Sequence, residues 1–200
     1  MCNAYRVKPK RSEARFEVSV SDEIGRLPSP LVRRTGRGVV VAMEGGQLRA
    51  TTMRWGFHRP FSDAINNARS DKLAAPTWRE ALALRRCIVP ISAIYEWQEL
   101  PRGGKQPFEF RRPDGEWMWI AGLFEESGKY GPCYATITTE PPAWVAPIHD
   151  RMLAVLEFEA ALAFLQGGTH PITPYGGGLL AEPCESPLKQ KPPGPQDFLF

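Results

Sequence analysis

The strongest local pattern in the chain is a β-hairpin around the tripeptide Glu44–Gly46. Stretches typical of β-strands, Val39–Met43 and Leu48–Trp55, lie on either side of that tripeptide. Two adjacent glycines supply the positive φ angles that a tight reversal between antiparallel strands requires. The pattern therefore predicts two paired strands and commits the first half of the chain to an antiparallel sheet.

The other predicted elements are short and separated by proline and glycine. One predicted helix, in PTWREALALRR, has Thr77 and Glu80 spaced as a capping box, and a second, in EFEAALAFLQGG, ends at glycine. The segment RCIVPISAIYEWQE predicts a short strand broken at Pro90, and further strands are predicted in WMWIAGLF and CYATITT. Loops are predicted in SDAINNARSDKL and EPPAWVAPIHDRM. We expect an α+β fold: a single domain with an antiparallel, barrel-like β-sheet core flanked by helices.

Composition separates the end of the chain from the rest. Residues 171–200 are dense in proline and glycine, so we expect an irregular or partly disordered segment there and one domain over residues 1–170. No apolar run reaches membrane-spanning length, and the first residues lack the apolar region of a secretion signal. We therefore expect a cytoplasmic protein with no membrane contact.

The charged and metal-binding residue types give weaker signals. The net charge of +3 is too small to indicate a nucleic-acid partner by itself. Four cysteines without CxxC spacing and three scattered histidines form no metal-site pattern. Reduced thiols are the simplest interpretation of these cysteines.

Cys2 stands directly after the initiator methionine. A small second residue generally permits removal of that methionine, and Cys2 would then carry a free amine and a thiol on adjacent carbons. On position alone, an inert small hydrophobic residue is the more common alternative. Only residues elsewhere in the chain can decide between these interpretations.

Three loop or strand-end stretches contain reactive polar side chains: NNARSD, IYEWQE and APIHDRM. Each has an ordinary structural interpretation. Asn67 could be a turn residue, Arg69 a surface charge and Glu96 a solvated carboxylate. His149 could be a loop histidine bonded to Asp150.

Taken together with Cys2, these stretches resemble the SRAP family, the SOS response-associated peptidase-like proteins that attach covalently to abasic sites in single-stranded DNA. The resemblance runs in order from Cys2 to Met152. It rests on the stretches MC, RWG, NARS, RRCIVP followed by YEWQ, KQPF, AGLFE, TITT and APIHDRM.

The resemblance implies catalytic roles for four residues. Cys2 would be the nucleophile and Asn67 would position it. Glu96 would assist sugar opening and proton transfer at the thiol or imine, and His149 would protonate leaving groups and assist reversal. The implied DNA contacts are Arg69 with backbone phosphate, Trp55 on the binding surface, and Arg151, Thr138 and Thr139 as further phosphate contacts.

The chemistry of an abasic site agrees with these roles. The ring-opened sugar is an aldehyde, and an α-amine with a pKa of about 7.7–8.0 can condense with it to a Schiff base. The neighbouring thiol can then close a five-membered thiazolidine. The leading hypothesis is therefore a covalent sensor and shield of abasic sites, with an additional strand-cleaving lyase activity as an open question.

This hypothesis requires no metal or organic cofactor, and its partner is single-stranded DNA containing abasic sites. We expect a monomer that associates with the nucleoid when bound to DNA. Two alternatives stay open: a thiol autopeptidase that processes its own N-terminus with Cys2, His149 and Glu96, and a non-catalytic module that binds single strands.

One departure from the family pattern affects the substrate-binding edge, and one nearby stretch has two interpretations. Asn3 and Ala4 occupy the positions where the family usually has glycine and arginine, so one expected DNA contact is in question. The stretch MRWGF could bind DNA or could be strand core, and for Phe57 both interpretations are equally supported.

Overall fold

The computed structural model describes residues 2–12, 15–168, 172–173 and 175–189. Most of this part of the chain consists of β-strands, and it contains three α-helices. The helices are α1 (Arg15–Gly25), α2 (Pro76–Leu84) and α3 (Phe158–Leu165). The strands are β1 (Ala4–Arg6), β2 (Leu31–Arg33), β3 (Arg37–Glu44), β4 (Gln47–Trp55), β5 (Phe57–Arg59), β6 (Ser62–Ile65), β7 (Asn67–Arg69), β8 (Arg86–Ile91), β9 (Ala93–Glu99), β10 (Lys105–Arg111), β11 (Met118–Ser127), β12 (Gly131–Thr139), β13 (Met152–Leu153), β14 (Val155–Leu156) and β15 (Leu180–Pro183).

Five strands close into a barrel in the order β12-β4-β3-β8-β11, with β11 pairing back to β12. All of these pairings are antiparallel except the short parallel contact between β12 and β4. The predicted hairpin forms β3 and β4, and Gly45 and Gly46 both have positive φ between them. The predicted α+β domain with a barrel-like sheet core is confirmed.

A second, five-stranded sheet has the order β15-β10-β9-β1-β2 and carries the N-terminal strand. In its centre, β1 pairs antiparallel with β9, with Ala4 opposite Tyr95. The same register brings the residues before β1 alongside the later part of β9. This pairing joins two segments whose paired residues are 87 to 91 positions apart in the sequence.

The barrel interior is filled with aromatic and branched side chains. Trp55, Tyr5 and Tyr134 are fully buried, and the hydroxyls of the two tyrosines hydrogen-bond to each other. Gly38 makes this arrangement possible, because a Cβ at that position would collide with both hydroxyl groups. Burying these large aromatic surfaces is a main source of the stability of the barrel.

The helices differ from the sequence predictions in two respects. The capping box is wrong, because α2 begins at Pro76 with Ala75 as its N-cap, and no side chain caps it. Proline is favoured at the first helical position, where its missing N–H has no intrahelical partner to lose. Helix α1 was not predicted, although Phe16, Val20 and Ile24 recur every four residues and pack against the core.

The structure also corrects a predicted strand break and a predicted loop. Pro90 lies within β8, and the break comes after Ile91. Pro90 is paired with Trp119 of β11, whereas the pairing between β8 and β3 covers only Cys87 and Ile88. The missing N–H of Pro90 therefore removes no hydrogen bond to β3. The predicted loop SDAINNARSDKL contains β6, β7 and a short 3₁₀ turn at Ser70–Lys72.

The segment after residue 170 contributes β15, which pairs with β10 from Leu180 to Pro183. A 3₁₀ turn at Pro187–Lys189 follows it. The expected irregular segment also includes residues 171, 174 and 190–200, which lie outside the described residues, so the domain boundary at residue 170 stays a prediction. None of the helices described is long and apolar enough to span a membrane.

Candidate functional site

Cys2 lies two positions before the start of β1 and is fully buried. Its carbonyl oxygen accepts a hydrogen bond from Asn67 Nδ2 at 2.8 Å and a second from Asn66 Nδ2 at 3.0 Å. Both asparagines are 7% exposed. The start of the chain is therefore held by two buried amide donors. Of the two, only Asn67 was predicted; the doubled asparagine in INNARS was the available signal for Asn66.

Strand pairing fixes the position of these asparagines. The short strand β7 runs parallel to β12, with Asn67 opposite Thr136. The Thr136 hydroxyl donates to Asn67 Oδ1 at 3.0 Å. Because the amide oxygen faces Thr136, the amide nitrogen Nδ2 faces Cys2. The Asn66 carbonyl accepts hydrogen bonds from Trp55 Nε1 at 2.9 Å and from the Thr136 backbone N–H at 3.0 Å.

Glu96 comes from the middle of β9, the strand that pairs with β1. Its side chain is 3% exposed. Burial disfavours the ionised carboxylate and raises the pKa of Glu96 to about 8. At neutral pH the Glu96 carboxyl therefore carries a proton that it can donate.

His149 faces Glu96 from the loop between β12 and β13. The distance from His149 Nε2 to Glu96 Oε2 is 3.6 Å. On the other side of the ring, Nδ1 lies 3.0 Å from Asp150 Oδ1 and accepts the Arg151 backbone N–H at 3.0 Å. Burial lowers the pKa of His149, so the imidazole is neutral at neutral pH and can accept a proton.

The Cys2 thiol points toward backbone carbonyls rather than toward solvent. Sγ lies 3.2 Å from the Ala4 oxygen and 3.8 Å from the Tyr95 oxygen. Burial, followed by the negative charge of ionised Glu96, raises the pKa of the Cys2 thiol well above its usual value. The thiol is therefore protonated at neutral pH and needs a base before it can act as a thiolate.

A cleft of about 610 Å³ opens next to these groups. Gln98 Nε2 donates to the Pro147 carbonyl at 2.9 Å, which ties the end of β9 to the loop that carries His149. The lining residues are Asn3, Glu96, Trp97, Glu99, Lys105, Ala146, Pro147, Ile148, His149, Asp150 and Leu188. The cleft gives a substrate access to Glu96 and His149 beside the buried Cys2.

Arg69 and Arg151 occupy different environments. The Arg69 side chain is 51% exposed and forms a two-pronged pair with the carboxylate of Asp71, at 3.0 and 2.9 Å. The Arg151 side chain is 7% exposed and donates to the Thr138 carbonyl. Arg69 is accessible to an incoming phosphate, whereas Arg151 would first have to leave its internal acceptor.

Three of the expected DNA contacts are buried in the structure, and their role at DNA stays a prediction. Trp55 is fully buried, with its ring stacked on Tyr134 and its Nε1 on the Asn66 carbonyl. Thr138 and Thr139 are 1% and 2% exposed. The stretch MRWGF was expected either on the surface or in the core, and Trp55 and Phe57 both belong to the core. A tryptophan next to a glycine at a strand end gave no sequence signal that distinguishes these two positions.

The sequence profile of the family described as SOS response associated peptidase (SRAP) matches residues 1–188. The abasic site processing protein YoqW of Bacillus subtilis (strain 168) is 30% identical over 143 residues, 66% of this chain and 64% of YoqW. The abasic site processing protein HMCES of Gallus gallus is 31% identical over 122 residues, 48% of this chain and 36% of HMCES. The match thus spans less than two thirds of the length of these curated relatives.

Solved structures share the fold at lower sequence identity. A crystal structure of a protein from Bacteroides thetaiotaomicron has a TM-score of 0.76 at 19% identity and covers 98% of both chains. One from Bordetella bronchiseptica has a TM-score of 0.70 at 22% identity, over 92% of this chain and 100% of the other. With the family profile matching residues 1–188, the chain belongs to the SOS response associated peptidase (SRAP) family.

Proposed function

We propose that this protein processes abasic sites in single-stranded DNA by forming a covalent thiazolidine link through Cys2. The observation that carries the proposal is the arrangement around Cys2: a carbonyl held by two buried amides, beside a protonated Glu96 and a neutral His149. The names of the curated relatives support abasic DNA as the substrate class.

The first bond forms at the amine. Once Met1 is removed, the neutral amine of Cys2 adds to the aldehyde carbon of the ring-opened sugar and gives a carbinolamine. Loss of one water molecule then gives an imine. The amine leads because the buried thiol keeps its proton at neutral pH.

The second bond closes the ring. The Cys2 sulfur adds to the imine carbon, and the thiol proton ends on the nitrogen, so the whole sequence loses one water and needs no oxidant, metal or organic cofactor. Glu96 supplies the proton for sugar opening and, once ionised, accepts the thiol proton. His149, neutral at the start, takes up the hydroxyl proton that the sugar releases on opening, returns it to the departing hydroxyl of the carbinolamine and assists reversal of the link.

The imine is also a branch point. Loss of a proton from the neighbouring sugar carbon would eliminate the adjacent phosphate and cleave the strand, which is the lyase reaction. Ring closure by the thiol competes with this elimination. The ratio of crosslinked to cleaved product therefore depends on how quickly the sulfur reaches the imine carbon.

The autopeptidase alternative receives less support. Cleavage of the bond between Met1 and Cys2 would develop negative charge on the Met1 carbonyl, and stabilising that charge requires donors at that oxygen. The two asparagine amides instead donate to the carbonyl of Cys2. Their arrangement suits holding Cys2 as an attacking group.

The test is a mixture of the protein with a single-stranded oligonucleotide that contains one abasic site. Intact-mass analysis should find protein lacking Met1 joined to the oligonucleotide, less one water, and the adduct should survive heating in detergent. An oligonucleotide with a tetrahydrofuran site is the matched control, because it has the same backbone but no aldehyde. Salt-sensitive binding without any adduct would support the non-catalytic binding module instead.

A further inference from the structure

The Cys2 carbonyl has two donors, and the role of the second, Asn66, extends the function proposed above. A carbonyl oxygen has two lone pairs, and here both face a side-chain amide. Asn66 Nδ2 is 3.0 Å from the oxygen and Asn67 Nδ2 is 2.8 Å from it. Both side chains are buried, so neither donor exchanges freely with water.

Both donors are anchored to the barrel, Asn66 to β4 and β12 and Asn67 to β12. The Asn66 carbonyl accepts the indole N–H of Trp55, which is fully buried in β4, and the backbone N–H of Thr136 in β12. The Asn67 side chain is oriented by the hydroxyl of Thr136 in β12. Because strands β4 and β12 are part of the closed barrel, the two amides have little freedom to move relative to each other.

One hydrogen bond would leave the peptide plane free to rotate about the donor–acceptor line, whereas two donors from separate residues define the plane. We propose that Asn66 is a second positioning residue, which together with Asn67 fixes the peptide plane after Cys2 and so sets the direction of its amine and thiol. This inference rests on the function proposed above. It assigns Asn66 no contact with the reacting atoms.

Two donors on the carbonyl also have an electronic effect. They draw electron density from the Cys2 α-carbon and so favour the uncharged form of the adjacent amine. Loss of one donor should raise the pKa of the Cys2 amine and reduce the fraction that can attack at neutral pH. A purely structural role for Asn66 would leave this titration unchanged.

The experiment compares Asn66→Ala with the wild type at saturating abasic oligonucleotide. We expect crosslinking to slow by about three- to tenfold, the range set by the net value of one hydrogen bond. Binding of undamaged single strands should stay within twofold. Nuclear magnetic resonance titration of isotope-labelled Cys2, with no DNA present, should show the amine losing its proton at higher pH.

Two further variants complete the test. Asn66→Asp keeps the side-chain volume but turns an oxygen toward the Cys2 carbonyl, so we expect at least the loss seen with alanine, and it keeps the test decisive if the alanine variant does not fold. Ser92→Ala is the matched control, because it removes the acceptor of the Lys8 N–H at the far end of the N-terminal segment. It should crosslink at the wild-type rate.

Asn66 is not a positioning residue if the folded Asn66 variants crosslink within twofold of the wild type and their amine titrations do not move. Failure of the proposed function would look different, since the wild type itself would then form no adduct. In that case the amine titration of wild type and variant still decides whether Asn66 acts on Cys2.

Discussion

The buried Glu96 makes a quantitative prediction about stability, tested with Glu96→Gln. Glutamine has the shape of a protonated glutamate and stays neutral at every pH. The unfolded chain releases the Glu96 proton near the usual pKa of 4.5, whereas the folded protein retains it until about pH 8. Glu96 therefore contributes its full share of stability below pH 4.5, and that contribution is lost as the pH rises to about 8.

The size of the effect follows from the two pKa values. Each pKa unit corresponds to about 1.4 kcal/mol, so raising the pKa from 4.5 to about 8 gives at most about 5 kcal/mol. Water entering around the ionised carboxylate relieves part of this cost. We expect Glu96→Gln to gain a few kcal/mol in the free energy of unfolding relative to the wild type at pH values above 8.

The assay is urea denaturation of both proteins at pH values from below 4.5 to above 8. It does not require a DNA substrate. The difference in free energy of unfolding should widen from about pH 4.5 to about pH 8 and level off above that. Glu44→Gln is the control, because Glu44 lies at the tip of the β3–β4 hairpin with 57% of its side chain exposed. A difference between wild type and Glu96→Gln that stays constant with pH would refute the burial argument.

The remaining predictions concern reactivity, DNA binding and packing. His149→Ala should slow adduct formation or reversal by about 10²- to 10⁴-fold in gel kinetics while binding of undamaged strands stays nearly unchanged; wild-type rates would remove His149 from the mechanism. Arg69→Ala should weaken binding to damaged and undamaged strands alike and reduce the salt slope by about one, whereas an unchanged slope would mark Arg69 as an ordinary surface charge. Inserting one alanine between Met1 and Cys2 should abolish the heat-stable adduct, whereas Cys2→Ser should still give a Schiff base that borohydride traps; a wild-type yield from the insertion variant would favour a thiol-only enzyme. Trp55→Ala should cost about 3–5 kcal/mol in urea denaturation, and a loss below about 1 kcal/mol would argue against its core position.

Local patterns predicted the parts of the fold that depend on neighbouring residues. The paired glycines after Glu44 indicated the hairpin, because a positive φ at two successive positions is a local requirement. The end of α3 was equally predictable, with Gly167 in a left-handed conformation. The capping box failed because Pro76, one position earlier, starts the helix without a side-chain cap.

Other features of the fold depended on distant partners. Pro90 is tolerated inside β8 because β3 pairs with β8 only at Cys87 and Ile88 and not at Pro90. No local sequence pattern contains that information. The segment around Asn67 has the composition of a loop, yet β12 offers it a strand to pair with. In both cases tertiary pairing overrides the local preference.

The sequence by itself determined which reactive groups the protein possesses: a thiol at the second position and the acid and imidazole in YEWQ and PIHDR. Only the tertiary structure decided what state these groups are in. Glu96 retains its proton at neutral pH because it is buried among the surrounding strands, and Trp55 lies in the core, where its indole N–H holds the Asn66 carbonyl. Desolvation and hydrogen-bond partnership are set by residues far apart in the chain, so they arise only when the barrel closes around them.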